Sequence, residues 1–204
     1  MNHRLRKSTK MLWEISEKQN VRQKGNIMDF KELILKRRSC RAYEESGRIE
    51  KAEVEEVLNE ALLAPSWCNY ESARCYAAVS PEKIEAVRSA LPDYNKNNSK
   101  NACAYIVTAY EKGASGYIGG KPSDGLGDQW GAYDLGLHDA YLVLSLKDHG
   151  YDSLIMGLRD ENKLRELFAI PENEVIMSVI AVGTHEGDIK PGPRKALSEV
   201  AKIR

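Results

Sequence analysis

Cysteine is scarce in this chain of 204 residues, and its spacing excludes several kinds of site. The four cysteines form no Cys-x-x-Cys pair, so neither a zinc site nor a thioredoxin-like centre is indicated. They are Cys40, Cys68, Cys75 and Cys103. A disulfide framework is not expected at this chain length and cysteine density, and we expect a cytoplasmic protein.

Long apolar runs are also missing. No stretch approaches the ~18 apolar residues that a membrane-spanning helix needs. Residues 1–27 carry seven Lys or Arg against two acidic residues. A secretory signal would place an apolar run behind those charges, but the longest run there is Met11–Trp13. We therefore predict a basic N-terminal extension over residues 1–27, disordered or a stray helix, and a functional domain over residues 28–204.

Charge balance and missing motifs exclude further functions. The formal net charge is zero, which argues against nucleic acid as a partner. Neither Gly-x-Ser-x-Gly nor His-Glu-x-x-His occurs, so hydrolase and metalloenzyme chemistry have no anchor. Gly119–Ser123 includes Gly-Gly-Lys, but a phosphate-binding loop would need glycine at Ser115 and a hydroxyl residue at Pro122.

Hydrophobic periodicity predicts helices and short strands in a mixed order. Helices are predicted over Asp29–Arg38, Glu50–Leu63, Ser80–Leu91, Trp130–His149 and Asp160–Phe168. Strands are predicted over Cys75–Val79, Cys103–Tyr110, Tyr151–Met156 and Val175–Gly183, and loops over Pro92–Asn101 and Glu111–Asp128. Without a strict βαβ alternation, this order indicates an α+β fold, a sheet with helices packed around it.

A group of cations follows the first predicted helix. Arg37, Arg38 and Arg41 surround Ser39 within five residues. Guanidinium groups this close repel one another unless an anion lies among them, and their planar forks match phosphate oxygens. The alternative is a solvated basic helix end, because cations are favoured at helix C-termini.

A second polar segment follows the amphipathic helix over Glu50–Leu63. Pro65 ends that helix and leaves backbone donors and acceptors free, and Ser66 and Asn69 add small polar groups. Such a segment suits the edge of a planar heterocycle, since an asparagine side chain can both donate and accept. The alternative is an ordinary loop between a helix and a strand.

In order and spacing, these segments resemble the nitroreductase family of FMN-dependent flavoproteins. The matching motifs are Arg-Arg-Ser-x-Arg at Arg37–Arg41 and Ala-Pro-Ser-x-x-Asn at Ala64–Asn69. The resemblance continues through the long helix that begins near Asp134, through Met156-Gly157, and to a late arginine, Arg194. It spans roughly Met28 to the C-terminus. The sequence departs from the family at Glu71–Ala73, where the family usually has Gln-Pro-Trp.

The resemblance implies a three-layer α+β fold, with a mixed central sheet surrounded by helices, in an intertwined homodimer. It implies two FMN sites at the dimer interface, each built by both subunits. One subunit would bind the phosphate through Arg37, Arg38, Ser39, Arg41 and Arg194. The other would meet the ring edge through Ser66 and Asn69, while Pro65, Met156 and Gly157 would lie against the ring.

The resemblance also implies the reaction. Hydride would pass from NADH or NADPH to flavin N5 and then to a small-molecule acceptor, a nitroaromatic, quinone or similar compound, in a ping-pong scheme. The flavin carries this chemistry, so no side chain is named as catalytic. The alternatives are a flavin carrier or redox-responsive protein without turnover, and a dimerising protein without flavin. The sequence selects neither the acceptor nor one nicotinamide.

Overall fold

The computed structural model describes residues 28–204, so the predicted extension lies outside the described residues. The helices are α1 (Phe30–Lys36), α2 (Lys51–Ala61), α3 (Pro81–Ser89), α4 (Asp93–Asn98), α5 (Gln129–Asp148), α6 (Glu161–Phe168) and α7 (Leu197–Val200). The strands are β1 (Ala73–Ala78), β2 (Ala104–Glu111), β3 (Tyr117–Ile118), β4 (Lys121–Pro122), β5 (Asp152–Met156) and β6 (Glu174–Gly183). The predicted α+β class is confirmed.

The main sheet has four strands in the order β1-β2-β6-β5, and neighbouring strands are antiparallel. Outside these strands, an isolated parallel bridge joins Ser39 to Ser153 of β5; the sheet itself is antiparallel, and not mixed as the resemblance implies. β1 and β5 are the two edge strands, and β3 and β4 form a separate small hairpin. The two polar segments predicted as ligand sites, Arg37–Arg41 and Ala64–Asn69, lie beside these edge strands.

Helices cover both faces of the main sheet and produce the predicted three layers. Along β2, Tyr105 and Val107 belong to one buried cluster, and Ala104 and Ile106 belong to the other. Residues of α3 and α6 join the first cluster, and residues of α2 and α5 join the second. The apolar run that predicts β2 is therefore nearly continuous because both of its faces are buried.

The long helix α5 is buried on most of its circumference, as its two apolar stripes predict. One face remains exposed and carries Tyr133 and Tyr141, which are 59% and 44% exposed, with the small residues Gly136 and Ala140 between them. An exposed aromatic face on a central helix is a candidate contact surface. Among the described helices, none is long and apolar enough to cross a membrane.

Gly131 lets α5 approach β2 closely. A β-carbon at this position would lie 2.5 Å from Cδ2 of Tyr110. We expect Gly131→Ala to lower the free energy of unfolding by about 1–3 kcal/mol, because the buried ring must shift and better helix propensity offsets only about 1 kcal/mol. Urea denaturation measures the change. Gly125→Ala, which adds a methyl group to open space, should stay within about 0.5 kcal/mol of the parent. Equal stability of the parent and Gly131→Ala would contradict the close approach.

The prediction of a loop over Pro92–Asn101 is wrong, because α4 occupies Asp93–Asn98. Asparagine is a poor helix former, yet Asn95 is buried and its Nδ2 donates to the Leu158 carbonyl at 2.8 Å. Its own carbonyl accepts the Ser99 hydroxyl at 2.7 Å. These contacts stabilise a helix that local propensity disfavours.

The predicted loop over Glu111–Asp128 is largely irregular but contains the hairpin of β3 and β4. Its two-residue turn consists of Gly119 and Gly120, with φ values of 57° and 75°. Tight hairpin turns of this kind require positive φ at both central positions, which glycine adopts without steric cost. The glycine pair thus turns the chain back within a segment that has no regular hydrophobic pattern.

Candidate functional site

The arginine-rich segment lies along the β5 edge of the main sheet. α1 ends at Lys36 because Arg37 takes an extended conformation, with φ −63° and ψ 118°. The chain then runs beside β5, where Ser39 bridges to Ser153 and the Cys40 N–H donates to the Ser153 carbonyl at 3.0 Å. The arginines of this segment therefore project from a backbone that is hydrogen-bonded to β5, and not from a continuing helix.

Three of the predicted arginines lie close enough to repel one another. Partial burial, followed by the like charges of Arg38 and Arg194, lowers the pKa of Arg37. Arg38 donates to backbone carbonyls through Nη1, yet its buried Nε has no hydrogen-bond partner within residues 28–204. Arg41 is exposed. Within residues 28–204, no ion pair includes any of the four arginines, which are Arg37, Arg38, Arg41 and Arg194. Cations gathered without an acidic partner fit an anionic ligand.

The C-terminal tail crosses the end of α1 and brings Arg194 to this cluster. Ile189, which belongs to this tail, packs against the first buried cluster. Next to it, Asp188 contributes, after Glu32, to the raised pKa of Lys36 at the end of α1. Arg194 itself is exposed and lies near enough to Arg37 to affect its pKa. We call Arg37, Arg38 and Arg194, together with Arg41 farther along the Arg37–Arg41 segment, the arginine cluster.

The second predicted segment forms a strained turn before β1, at the opposite edge. A 3-10 turn occupies Trp67–Asn69, and Cys68, Asn69 and Glu71 have φ values of 48°, 57° and 52°. Residues other than glycine adopt this left-handed region at a cost, and such positions concentrate at functional sites. The Glu71 N–H donates to Ser66 Oγ at 3.0 Å, and Asn69 Nδ2 donates to Glu71 Oε1 at 2.9 Å. Pro65 is exposed beside this turn.

Asp134, which is not among the predicted site residues, contacts this turn from α5. Asp134 is only 3% exposed, and its Oδ2 accepts the Trp67 N–H at 3.0 Å and the Ser115 hydroxyl at 2.6 Å. Charged residues are rarely buried without partners. A sequence signal for a buried acid does exist here. Asp134 stands between Tyr133 and Leu135, in a helix whose two apolar stripes predict burial on most of its circumference. A cavity of about 20 Å³ lies beside Asp134 and Ser66.

Met156 and Gly157 end β5 in different environments. The Met156 side chain is buried in the core, so only its backbone can face a ligand. Gly157 is exposed, and its carbonyl accepts Nη1 of Arg159 at 2.5 Å. Arg159 also donates to the Ile176 carbonyl of β6, which fixes the turn after β5. The contacts predicted for Met156 and Gly157 stay predictions.

The two candidate segments lie far apart within one chain. The 65–71 loop precedes β1, whereas the arginine segment lies beside β5. In the sheet register, Ala73 pairs with Tyr110, near the end of β2. Ser153 pairs with Val182, which also pairs with Ala104 at the start of β2. With strands about 4.8 Å apart and residues about 3.4 Å apart along each strand, the segments are separated by on the order of 25 Å. A single chain therefore does not bring these two groups together.

Cys75, His138 and Asp139 form a buried row that resembles a nucleophilic triad in composition. Cys75 Sγ lies 4.0 Å from His138 Nε2, and His138 Nδ1 lies 3.4 Å from Asp139 Oδ1. Burial first, and then the charge of Asp139, raises the pKa of the Cys75 thiol well above its ordinary value. A nucleophilic cysteine needs a lowered pKa, so this row does not supply one. The described part of the chain contains no cluster of His, Cys, Asp and Glu that could hold a metal ion.

The structure thus defines an α+β protein with an arginine cluster at one sheet edge and a strained polar turn at the other. The Nitroreductase family model matches residues 34–184, which include both the Arg37–Arg41 and the Ala64–Asn69 segments. The chain belongs to the nitroreductase family, and the resemblance seen in the sequence is confirmed.

Individual relatives agree with this membership, and a solved structure shares the fold. A Bacillus subtilis protein named as a candidate NAD(P)H nitroreductase, YdgI, is 27% identical, over 76% of this chain and 88% of the relative. An Archaeoglobus fulgidus protein named as a candidate NADH dehydrogenase/NAD(P)H nitroreductase is 30% identical, over 74% and 82%. A candidate nitroreductase from Exiguobacterium sibiricum, solved in complex with FMN, has a TM-score of 0.77 at 22% identity and covers 88% of this chain and 99% of that one. At that identity, the structural likeness shows the fold.

Proposed function

We propose that this chain is an FMN-dependent oxidoreductase that uses NADH or NADPH to reduce a small organic acceptor. The observation that carries the proposal is the arginine cluster at a motif of the family, because its like charges have no acidic partner within residues 28–204. Two relatives are named for NAD(P)H nitroreductase activity, and a structure of the same fold contains FMN. Residues 28–204 would form the FMN-binding domain.

The residues present fit FMN. The phosphate would be bound by the arginine cluster and Ser39, since guanidinium forks match phosphate oxygens. The polar ring edge would meet Ser66 and Asn69. The ring face would lie against Pro65, Gly157 and the backbone of Met156.

Bound FMN would supply the transfer of hydride from NADH or NADPH to the acceptor, in ping-pong order. The chain's own part is to bind, orient and shield the ring. Backbone and side-chain donors of the 65–71 loop would stabilise negative charge that develops on the ring edge, because fixed donors need little reorganisation. We therefore propose no catalytic side chain.

A homodimer would unite the two half-sites. Separate edges of one chain cannot both reach a ligand with a short ribityl chain, but the arginine cluster of one subunit can meet the 65–71 loop of its partner. The exposed face of α5, with Tyr133, Gly136, Ala140 and Tyr141, supports such pairing because its small residues allow close helix contact. A groove between two chains also covers a large flat ligand.

The proposed function is tested by absorbance spectroscopy. The purified full-length protein, supplied with FMN, should show flavin bands that bleach anaerobically with NADH or NADPH. The bands should return when a nitroaromatic or a quinone is added, and comparison of the two acceptors would identify the preferred class. A protein that takes up no FMN would contradict the proposal.

A flavin-binding protein without turnover is the second candidate function. The observation that favours it is the hydrogen bond from Asn69 to Glu71, which occupies the amide expected to meet the ring. This alternative predicts flavin that binds tightly but is reduced by neither nicotinamide. Reduction by either one would exclude it.

A further inference from the structure

Asp134 has a buried carboxylate that the proposed cofactor contacts do not explain. It lies on α5, and no ion pair within residues 28–204 includes it. Burying a carboxylate is costly unless hydrogen bonds replace its water. Here the donors are neutral groups from two other segments, the Trp67 N–H and the Ser115 hydroxyl. The residue therefore joins parts of the chain that are distant in sequence.

The contact with Trp67 caps the 3-10 turn with a residue from another element, α5. Ser66 is the N-cap residue of this turn, but its side chain makes no capping hydrogen bond. Its hydroxyl instead accepts the Glu71 N–H at 3.0 Å. Asp134 Oδ2 accepts the Trp67 N–H at 3.0 Å and supplies the missing negative group at the start of the turn.

The turn needs such a hold because its backbone is strained. Cys68, Asn69 and Glu71 lie in the left-handed region, and none of them is glycine. Conformations of this kind persist only when surrounding contacts outweigh their cost. Without the carboxylate of Asp134, the loop that carries Ser66 and Asn69 would lose a contact that fixes it to α5.

The contact with Ser115 joins a second segment to the same carboxylate. Ser115 is 1% exposed, and its hydroxyl donates to Asp134 Oδ2 at 2.6 Å. Its Oγ also lies 3.0 Å from Oγ of the buried Ser72. Ser72 follows the 65–71 loop directly, and Ser115 begins the segment that carries the β3–β4 hairpin. The buried carboxylate of Asp134 thus fixes both the 65–71 loop and the hairpin segment relative to α5.

We propose that Asp134 is a positioning residue for the flavin ring. Its carboxylate holds the 65–71 loop in the conformation that presents Ser66 and Asn69, and Ser115 and Ser72 extend this hold to the hairpin segment. The inference rests on the proposed function, because it names the residue that preorganises the ring side of the site.

The first test needs no flavin. In the flavin-free full-length chain, Asp134→Asn should increase the hydrogen-exchange rate of the Trp67 amide by about 10-fold, since a neutral amide oxygen replaces the charged acceptor and weakens the hydrogen bond. Asp139→Asn is the matched control. Asp139 is also buried on α5 and also accepts a hydroxyl, that of Thr108 at 3.0 Å. This control should leave Trp67 exchange unchanged.

The second test compares FMN with riboflavin, which has the ring but no phosphate. Asp134→Asn should weaken the binding of both by the same factor, about 10-fold, because only the ring side is disturbed. Asp139→Asn should bind both as the parent does. Ser115→Ala, which removes one donor to the carboxylate and keeps the Trp67 contact, should give a smaller loss of the same kind and serves if Asp134→Asn does not fold.

The outcomes separate this role from the proposed function. If the parent binds flavin and Asp134→Asn binds both ligands equally well, the positioning role is wrong and the proposed function stands. If Asp134→Asn and Asp139→Asn weaken binding alike, the effect is general destabilisation and the role is also wrong. If the parent binds neither FMN nor riboflavin, the proposed function fails, and the role of Asp134 toward a flavin fails with it.

Discussion

Replacing Arg38 and Arg41 together with alanine is expected to weaken FMN binding by about 100-fold, because each hydrogen bond to a charged group contributes about 1.5–3 kcal/mol and solvent reduces the share of the exposed Arg41. Within the described residues, Arg38 donates to backbone carbonyls through Nη1, so its other donors would bind a phosphate oxygen. Fluorescence titration of the flavin-free variant measures the dissociation constant.

Two controls separate a phosphate site from a general loss of positive charge. Riboflavin should bind the double variant and the parent alike, since it lacks the phosphate. Arg88→Ala removes a guanidinium from α3, where Arg88 pairs with Glu85 at 3.1 Å, and should retain FMN. Unchanged FMN binding in the double variant, or equal losses with FMN and riboflavin, would count against the phosphate role.

The periodic elements of this fold could be predicted because their signal is local. In α2, buried Val54, Val57 and Ala61 recur on one face, as the pattern over Glu50–Leu63 indicates. The cap of α3 is equally local, since Ser80 accepts the Lys83 N–H at 3.3 Å. For such segments, neighbouring residues contain nearly all the information that decides the structure.

Elements held by distant contacts were beyond this kind of prediction. α4 depends on a hydrogen bond from Asn95 to Leu158, and no pattern within Asp93–Asn98 announces it. The β3–β4 hairpin had a local signal in Gly119 and Gly120, but its strands of two residues are too short for alternation to be visible. Here tertiary contacts and turn geometry decide the structure, not propensity.

The candidate site shows the same division. The types of its residues indicate an anion and a polar ring, and most of them lie within the residues that the family model matches. The positions of these residues do not follow from the sequence. The strand order makes β1 and β5 the edge strands, and only that order shows that the two segments lie at opposite edges of the sheet. The burial of Asp134 depends on the packing of α5 against two loops, so its role appears only in three dimensions.

Mixing two defective variants is expected to restore FMN binding if each site is built by two subunits. One parent carries Arg38→Ala with Arg41→Ala, and the other carries Ser66→Ala with Asn69→Ala. In a mixed dimer, one site combines both defects, and the other combines an intact arginine cluster with an intact 65–71 loop. After co-refolding of equal amounts, random pairing would regenerate about one quarter of all sites.

Retained flavin is measured at an FMN concentration that saturates the unmodified protein but neither parent variant. Two different affinity tags allow the mixed dimer to be isolated, and about half of its sites should then bind FMN. The two parents mixed without unfolding provide the control for subunit exchange. If both half-sites came from one chain, each defect would stay with its own site, and no mixture would bind more flavin than its parents. The separation of on the order of 25 Å between the segments makes that second result unexpected, because no single FMN spans both edges of one sheet.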